Sequence, residues 1–491
     1  MRMKMQTFSF LCTVAFILIV FLVPFLVPGC SFGGDPPVGS ESSEAAARSD
    51  DSSRSTHPRF TPHGPLDDPA ALPGQIIVAG GRPGYLKYNG GGPAFLCGTG
   101  NPEVFFFLGT LNEDGTRSGN RQEELIEIMA QSGMNGFQAQ MFRMRRCNIK
   151  DEGNDQHSPF VDFDPSKPLN EKALDQWDGW ISQMEEVGIV IQLMFYNDAT
   201  DVELMGWTLQ EDGELHPDEK RFVEGIVNRF KHHKNVIWGL EETMNKLPRA
   251  RKQHFMKMSE LIAQVDNHNH PILLSFTTPD TSEEDIHEDR VMSHDYRDDP
   301  NIDIVTWLHV LPHAEDYEAQ YQDYLKYARL DRDRFITMKS GTEPPSAEPN
   351  QTLSRRYTWA CAMTGMHCLE EWHSAVRWPE LLPDDGRVAK FMEQTDFYTM
   401  QPRSDLTAGS TKWVLANPGE SYIAYTYDYS GPMGVKDIPG GTYELTWFDT
   451  VHGDTVTKPA VAVSSGQDTW NKPGSFGSEI ALYIKRQASP R

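Results

Sequence analysis

A chain of 491 residues is too long for one ordinary domain and suits a barrel of about 250 to 330 residues with an appended module. With 38% hydrophobic and 11% aromatic residues it can build a large core, which excludes a disordered or low-complexity protein. Its net charge of -25 excludes nucleic acid and anionic membrane surfaces as partners, because both are held through clustered Lys and Arg.

Arg2 and Lys4 precede an apolar run from Phe8 to Val27 that stops at Pro28-Gly29-Cys30. A charged start, an apolar stretch and a small residue before a cysteine follow the order of a signal peptide. V-P-G-C resembles a bacterial lipobox, so residues 1–30 are read as a lipoprotein signal with Cys30 as the lipid-modified N-terminus. The expected location is the cell envelope, periplasmic or at the cell surface, with membrane contact through the lipid only. An uncleaved transmembrane anchor is the alternative, since twenty apolar residues suffice to span a bilayer. Residues 31–72, rich in Ser, Gly, Pro, Asp and Glu, predict a flexible tether. Cys97, Cys147, Cys361 and Cys368 follow no zinc spacing. An oxidising envelope would permit a disulfide among them, of undetermined pairing.

Residues 73–400 read as a barrel with a β lead-in. Gln75 to Ala79, Tyr85 to Tyr88 and Ala94 to Cys97, separated by glycine-rich turns, form the lead-in. Eight apolar runs follow: Val104–Leu108, Asn135–Met141, Ile189–Phe195, Val236–Leu240, Ile272–Phe276, Ile302–Trp307, Phe335–Met338 and Met366–Leu369. Such runs suit parallel strands covered on both faces. Between them, Lys172–Val187, Arg221–His232 and Phe255–Val265 carry apolar stripes at helical spacing, the first with Asn170 as N-cap and Gly188 as stop. Strand alternating with helix predicts an α/β fold of (β/α)8 TIM-barrel type. An open doubly wound sheet shares this grammar but lacks here a G-x-G-x-x-G after its first strand. Residues 401–491 change to short alternating runs, broken by Asn417-Pro418-Gly419 and Pro439-Gly440-Gly441, and predict an all-β sandwich module.

In such a barrel the reactive groups come from the C-terminal ends of the strands. Gln140 lies there on the second strand, Asn197 and Asp198 on the third, Glu241 and Glu242 on the fourth, and Trp307 and His309 on the sixth. Glu343 ends the seventh and Trp372 the eighth. Amides that bond hydroxyls and aromatics that stack on sugar rings are what a carbohydrate cleft needs. Two carboxylates across the mouth would serve as acid and nucleophile in retaining hydrolysis at a separation of about 5–5.5 Å.

The chain from about Gly74 to Arg486 resembles the clan A glycoside hydrolases, and within them the bacterial barrel proteins whose C-terminal β-module is labelled a collagen-binding domain. F-F-F-L-G-T, F-D-P-S-K-P-L-N-E-K-A-L-D-Q-W-D-G-W-I, N-V-I-W-G-L-E-E and Y-E-L-T-W-F-D-T carry the likeness. It implies Glu242 as acid/base and Glu343 as nucleophile. Glu241 then stands where the clan has an Asn that holds the sugar 2-hydroxyl, and His294, Tyr296 and Trp372 line the cleft. Glu241 remains a rival for the acid and Glu348 for the nucleophile. The resemblance implies a retaining glycoside hydrolase on an oligo- or polysaccharide, with no cofactor or metal; the sequence leaves the oligomeric state open. Two alternatives stand beside it: a non-catalytic carbohydrate-binding or adhesion lipoprotein on a degenerate barrel, and a metal-dependent hydrolase using Asp303, His309 and His313.

Overall fold

The computed structural model describes residues 59–100, 105–114, 116–142, 157–198, 205–243, 249–277, 296–308, 315–340, 350–370 and 378–487, all within one compact unit, Ser55–Arg491. Eight parallel strands close into a barrel: β1 (Cys97–Gly100), β2 (Gly136–Gln140), β3 (Val190–Asp198), β4 (Val236–Thr243), β5 (Ile272–Thr277), β6 (Ile304–Leu308), β7 (Ile336–Ser340) and β8 (His367–Glu370). β8 pairs with β1, with Cys368 opposite Cys97, which completes the ring. Cys97, Cys361 and Cys368 are all fully buried, and Cys147 lies outside the described residues.

Alternation sorts each strand between two layers. Val190, Ile237, Leu273, Ile304, Ile336 and Met338 fill the barrel interior, whereas Ile191, Trp238, Leu274, Val305 and Cys368 meet the surrounding helices. Those helices are α1 (Gln122–Ser132), α2 (Glu171–Glu186), α3 (Pro217–Phe230), α4 (Arg249–Val265), α5 (Tyr317–Leu330), α6 (Gln351–Ala362) and α7 (Leu382–Met392). α2 shows how sequence sets such a helix: Leu174, Trp177, Trp180, Ile181 and Met184 are all buried on one stripe. The Asn170 side chain caps its first turn by accepting from the Ala173 amide, and Gly188, at φ 83°, leaves it.

Two departures from the sequence expectation have physical causes. The first barrel strand is Cys97–Gly100 rather than Val104–Leu108, because Phe105, Phe106 and Phe107 are all buried and form a 3-10 turn. Phe106 stacks on Trp177 at 4.3 Å while Phe105 meets Phe137 and Trp180, so all three rings serve the outer layer. Residues 59–72, expected within the tether, are anchored at points: Phe60 enters the barrel-bottom cluster with Ile76, Leu86 and Tyr88, Ala71 is buried, and Arg59 pairs with Glu393 at 3.3 Å, while most of residues 61–70 stay exposed. The hairpin Ile76–Ala79 with Tyr85–Tyr88 thereby plugs the N-terminal end of the barrel.

Beyond the barrel lies a six-stranded antiparallel sheet of Gln401–Pro402, Trp413–Asn417, Ser421–Thr426, Ile480–Arg486, Gly441–Asp449 and Thr455–Val463, in that spatial order. A three-stranded sheet, Thr407–Gly409, Met433–Ile438 and Gly466–Trp470, lies beside it. Here the period of two is plain: Val414, Tyr422, Ala424, Leu482 and Ile484 face the module's own core, and Trp413, Leu415, Ile423, Tyr425 and Tyr483 join the barrel's. Among the described residues no helix is long and apolar enough to cross a membrane.

Candidate active site

β3 and β4 run in register with Tyr196 opposite Glu241 and Asp198 opposite Thr243, so both deliver polar residues to the C-terminal end of the barrel. Glu241 is fully buried there. Its Oε2 accepts from the Arg251 guanidinium at 3.3 Å. That guanidinium lies 4.8 Å from the Phe255 ring and 5.8 Å from the Tyr196 ring. Beside it the Tyr196 hydroxyl donates to Glu219 Oε1 at 2.6 Å, and His254 Nε2 donates to the same oxygen at 2.6 Å. Phe142, Trp207 and Phe222 enclose the group, Phe142 lying parallel to Tyr196 at 5.8 Å. Buried charges persist only when partnered, so this network clamps the ends of β3 and β4 to the first turns of α3 and α4.

Arg251, His254 and Glu219 escape the sequence reading because their chemistry depends on tertiary contact. Arg251 and His254 are three apart and Arg251 and Phe255 four apart, which places them on one face of α4; that spacing is the available signal.

Inside the barrel the upper residues are polar. Gln140 and Gln138 on β2, Gln192 on β3, Ser275 on β5 and Thr306 on β6 are all buried. Alternation gives them the interior face, since Phe137, Ala139, Ile191, Leu274 and Val305 belong to the outer layer. The Gln192 amide donates to Met338 Sδ at 3.3 Å, across from its own strand.

Trp307 does not reach this interior. It is fully buried in the outer layer, 5.3 Å from Tyr327 on α5 and 5.7 Å from Phe276, so at this position the indole is packing rather than a sugar platform. Tyr296 is likewise buried, 6.1 Å from Phe276. Asn197, Asp198 and Glu242 are described as backbone at the ends of β3 and β4, their side chains lying outside the described residues. His294, His309, Glu343, Glu348, Trp372 and Cys30 also lie outside them, as does His313. Asp303, offered as a metal ligand, sits just before β6 at the opposite end of the strand from the mouth, where it accepts from the Ile272 amide at 3.2 Å. Burial pushes its carboxyl up to about 6.

A barrel with a polar upper interior and carboxylates at a strand end is equipped to bind hydroxyl-rich ligands and to move protons. Among solved structures, a glycoside hydrolase aligns over 85% of this chain and 98% of its own at 14% identity, with a TM-score of 0.59. A glycoside hydrolase family 5 protein from Bacteroides vulgatus aligns over 85% and 93% at 13% identity, with a TM-score of 0.60. At such identities the likeness is one of fold. No curated protein matches the sequence. The family model for the apiosidase-like catalytic domain matches residues 84–329, half of the chain and most of the barrel. This protein therefore belongs to the apiosidase-like family of carbohydrate-active barrels.

Proposed function

We propose that the protein is a retaining glycoside hydrolase in which Glu242 is the acid/base and Glu343 the nucleophile. The observation that carries the choice of acid is the commitment of Glu241, the rival carboxylate, to Arg251 in a fully buried pair. A group held in this way positions the strand end, and the acid role falls to its neighbour. In the first half-reaction Glu242 protonates the leaving oxygen while Glu343 attacks the anomeric carbon. In the second, Glu242 takes a proton from the water that releases the sugar. Gln138, Gln140 and Gln192 supply amides suited to sugar hydroxyls. The family description makes a terminal apiosyl residue on an oligo- or polysaccharide the first substrate to try.

The test is a panel of glycans and aryl glycosides, apiosides included, with the chain kept from Ser55 onward so that Arg59 and Phe60 stay in place. Glu343→Ala is expected to remove nearly all turnover. Glu242→Ala should spare aryl substrates with good leaving groups more than poor ones, since only the latter need protonation. Glycan binding without sugar release by the unaltered protein would overturn the hydrolase and favour a binding protein on a degenerate barrel. An inverted anomeric product would keep the hydrolase and replace the nucleophile with a base acting through water.

The same reading makes the protein an envelope lipoprotein lipidated at Cys30. Cys30→Ala should then release it from the membrane fraction or stall its processing, and normal processing with unchanged attachment would exclude lipidation.

A further inference from the structure

α2 and the turn that leads from α3 into β4 meet at the N-terminal end of the barrel, opposite the strand ends considered above. Asp178 on α2, His232 and His233 place one ligand atom each within 4.8 Å of one another. Asp178 Oδ1 lies 3.0 Å from His233 Nε2 and 3.5 Å from His232 Nε2. The two rings stand 4.1 Å apart and tilted by 34°, so their Nε2 atoms point the same way.

The hydrogen bonds set which nitrogens are free to bind. His232 Nδ1 lies 2.8 Å from the Arg229 carbonyl oxygen, which can only accept, so Nδ1 carries a hydrogen. In the neutral ring Nε2 is then a lone pair facing a carboxylate oxygen, an arrangement that a shared cation relieves. His233 is almost fully buried, with its Nε2 turned to the same Asp178 oxygen. Its other nitrogen, Nδ1, lies 3.9 Å from Glu185 Oε2, where a carboxylate could orient the ring once Nε2 is occupied.

We propose that Asp178, His232 and His233 form a binding site for a divalent transition metal of the zinc class, which clips α2 to the α3–β4 turn. With bonds of about 2.0–2.1 Å to nitrogen and oxygen, the ligand atoms of a tetrahedral ion lie about 3.4 Å apart, close to the spacings found here. Two imidazoles and one carboxylate suit zinc, nickel or copper better than magnesium or calcium, which prefer all-oxygen shells. His232 is 59% exposed, so an ion can enter and a water can complete the shell. Lying at the N-terminal face, the site serves stability rather than the chemistry at the mouth.

The experiment uses the tag-free full chain, stripped with chelator and titrated with zinc chloride or nickel chloride by calorimetry and thermal unfolding. One ion per chain is expected, with a rise in melting temperature of about 3 °C or more that chelator reverses and magnesium chloride does not reproduce. His232→Ala, at an exposed position, and Asp178→Asn, which keeps the side-chain shape, should each weaken binding at least about tenfold. Absence of binding, or equal affinity in both variants, would overturn the site and leave a hydrogen-bonded clasp.

Discussion

The Arg251 guanidinium is almost fully buried, and two kinds of contact make that tolerable. One is the Glu241 carboxylate at 3.3 Å; the other is the face of Phe255 at 4.8 Å. Breaking such a pair from one side strands the remaining charge, at a cost of about 3–5 kcal/mol. Arg251→Ala is therefore expected to lower unfolding stability by that amount in urea titrations. A loss below about 1 kcal/mol would mean that Glu241 finds other support, and its role in holding the end of β4 would fall. Asp303 offers a test through pH. Its carboxyl is raised to about 6 by burial, above its ordinary value of 3.8, so the folded state favours the protonated form. The stability it contributes is fully present below about pH 4 and is lost as pH rises through 6. The loss is about 1–3 kcal/mol, because the residue is only partly shielded from solvent. Unfolding measured from pH 4.5 to 7.5 should show this decline, and Asp303→Asn should remove it.

At the scale of elements, seven of the eight strands are legible in the sequence, because a strand covered on both faces must be apolar and Ile, Val, Leu and Phe announce it. β1 is the exception. Cys-Gly-Thr-Gly carries almost no apolar signal, since its neighbours come too close to leave room for side chains. A Cβ on Gly98 would lie 2.0 Å from the Gly136 carbonyl oxygen on β2, and one on Gly136 would lie 2.6 Å from Leu369. Close approach is thus invisible to hydrophobic patterning, and the phenylalanine run next to it gave the stronger, misleading signal. Of the site, the carboxylates at the end of β4 could be read from position alone, whereas the Arg251 pairing and the outward packing of Trp307 depend on tertiary contacts that periodicity does not carry. Two glycines test the packing argument in opposite directions. Gly98→Ala should destabilise by about 1–3 kcal/mol or more, as backbone cannot yield cheaply. Gly179→Ala, on the exposed face of α2 with nothing near its Cβ, should stabilise by about 0.5–1 kcal/mol. If both changes had the same sign in thermal unfolding, crowding would not be what shapes β1.

At the scale of the whole unit, barrel and β-module share one core. Trp359 on α6 stacks on Tyr425 of the module at 4.9 Å, and Tyr321 on α5 stacks on Trp413 at 4.8 Å. Trp413 donates from its indole to Glu318 at 2.9 Å, and Tyr483 from its hydroxyl to Asp396 at 2.8 Å. At the centre Glu479 of the module accepts from Arg355 through both oxygens, at 2.8 and 3.0 Å, and from Arg356 at 2.9 Å. Arg355 and Glu479 are almost fully buried, so neither can be left alone. This contact is unlike a flexible linker, which would be longer and richer in Gly and Ser than the segment after α7. The module is therefore expected to unfold with the barrel. Calorimetry of the full chain should show one cooperative transition, and limited proteolysis near Pro402 should not yield two stable halves. Glu479→Ala should cost about 3–5 kcal/mol by removing the buried carboxylate that Arg355 and Arg356 share. Ending the chain at Met400 should expose Trp359 and Tyr321 together with those arginines and give an aggregating barrel. Two separate transitions, or a soluble and monodisperse barrel ending at Met400, would show that the module is an independent attachment and that the shared aromatic core adds little to the barrel's stability.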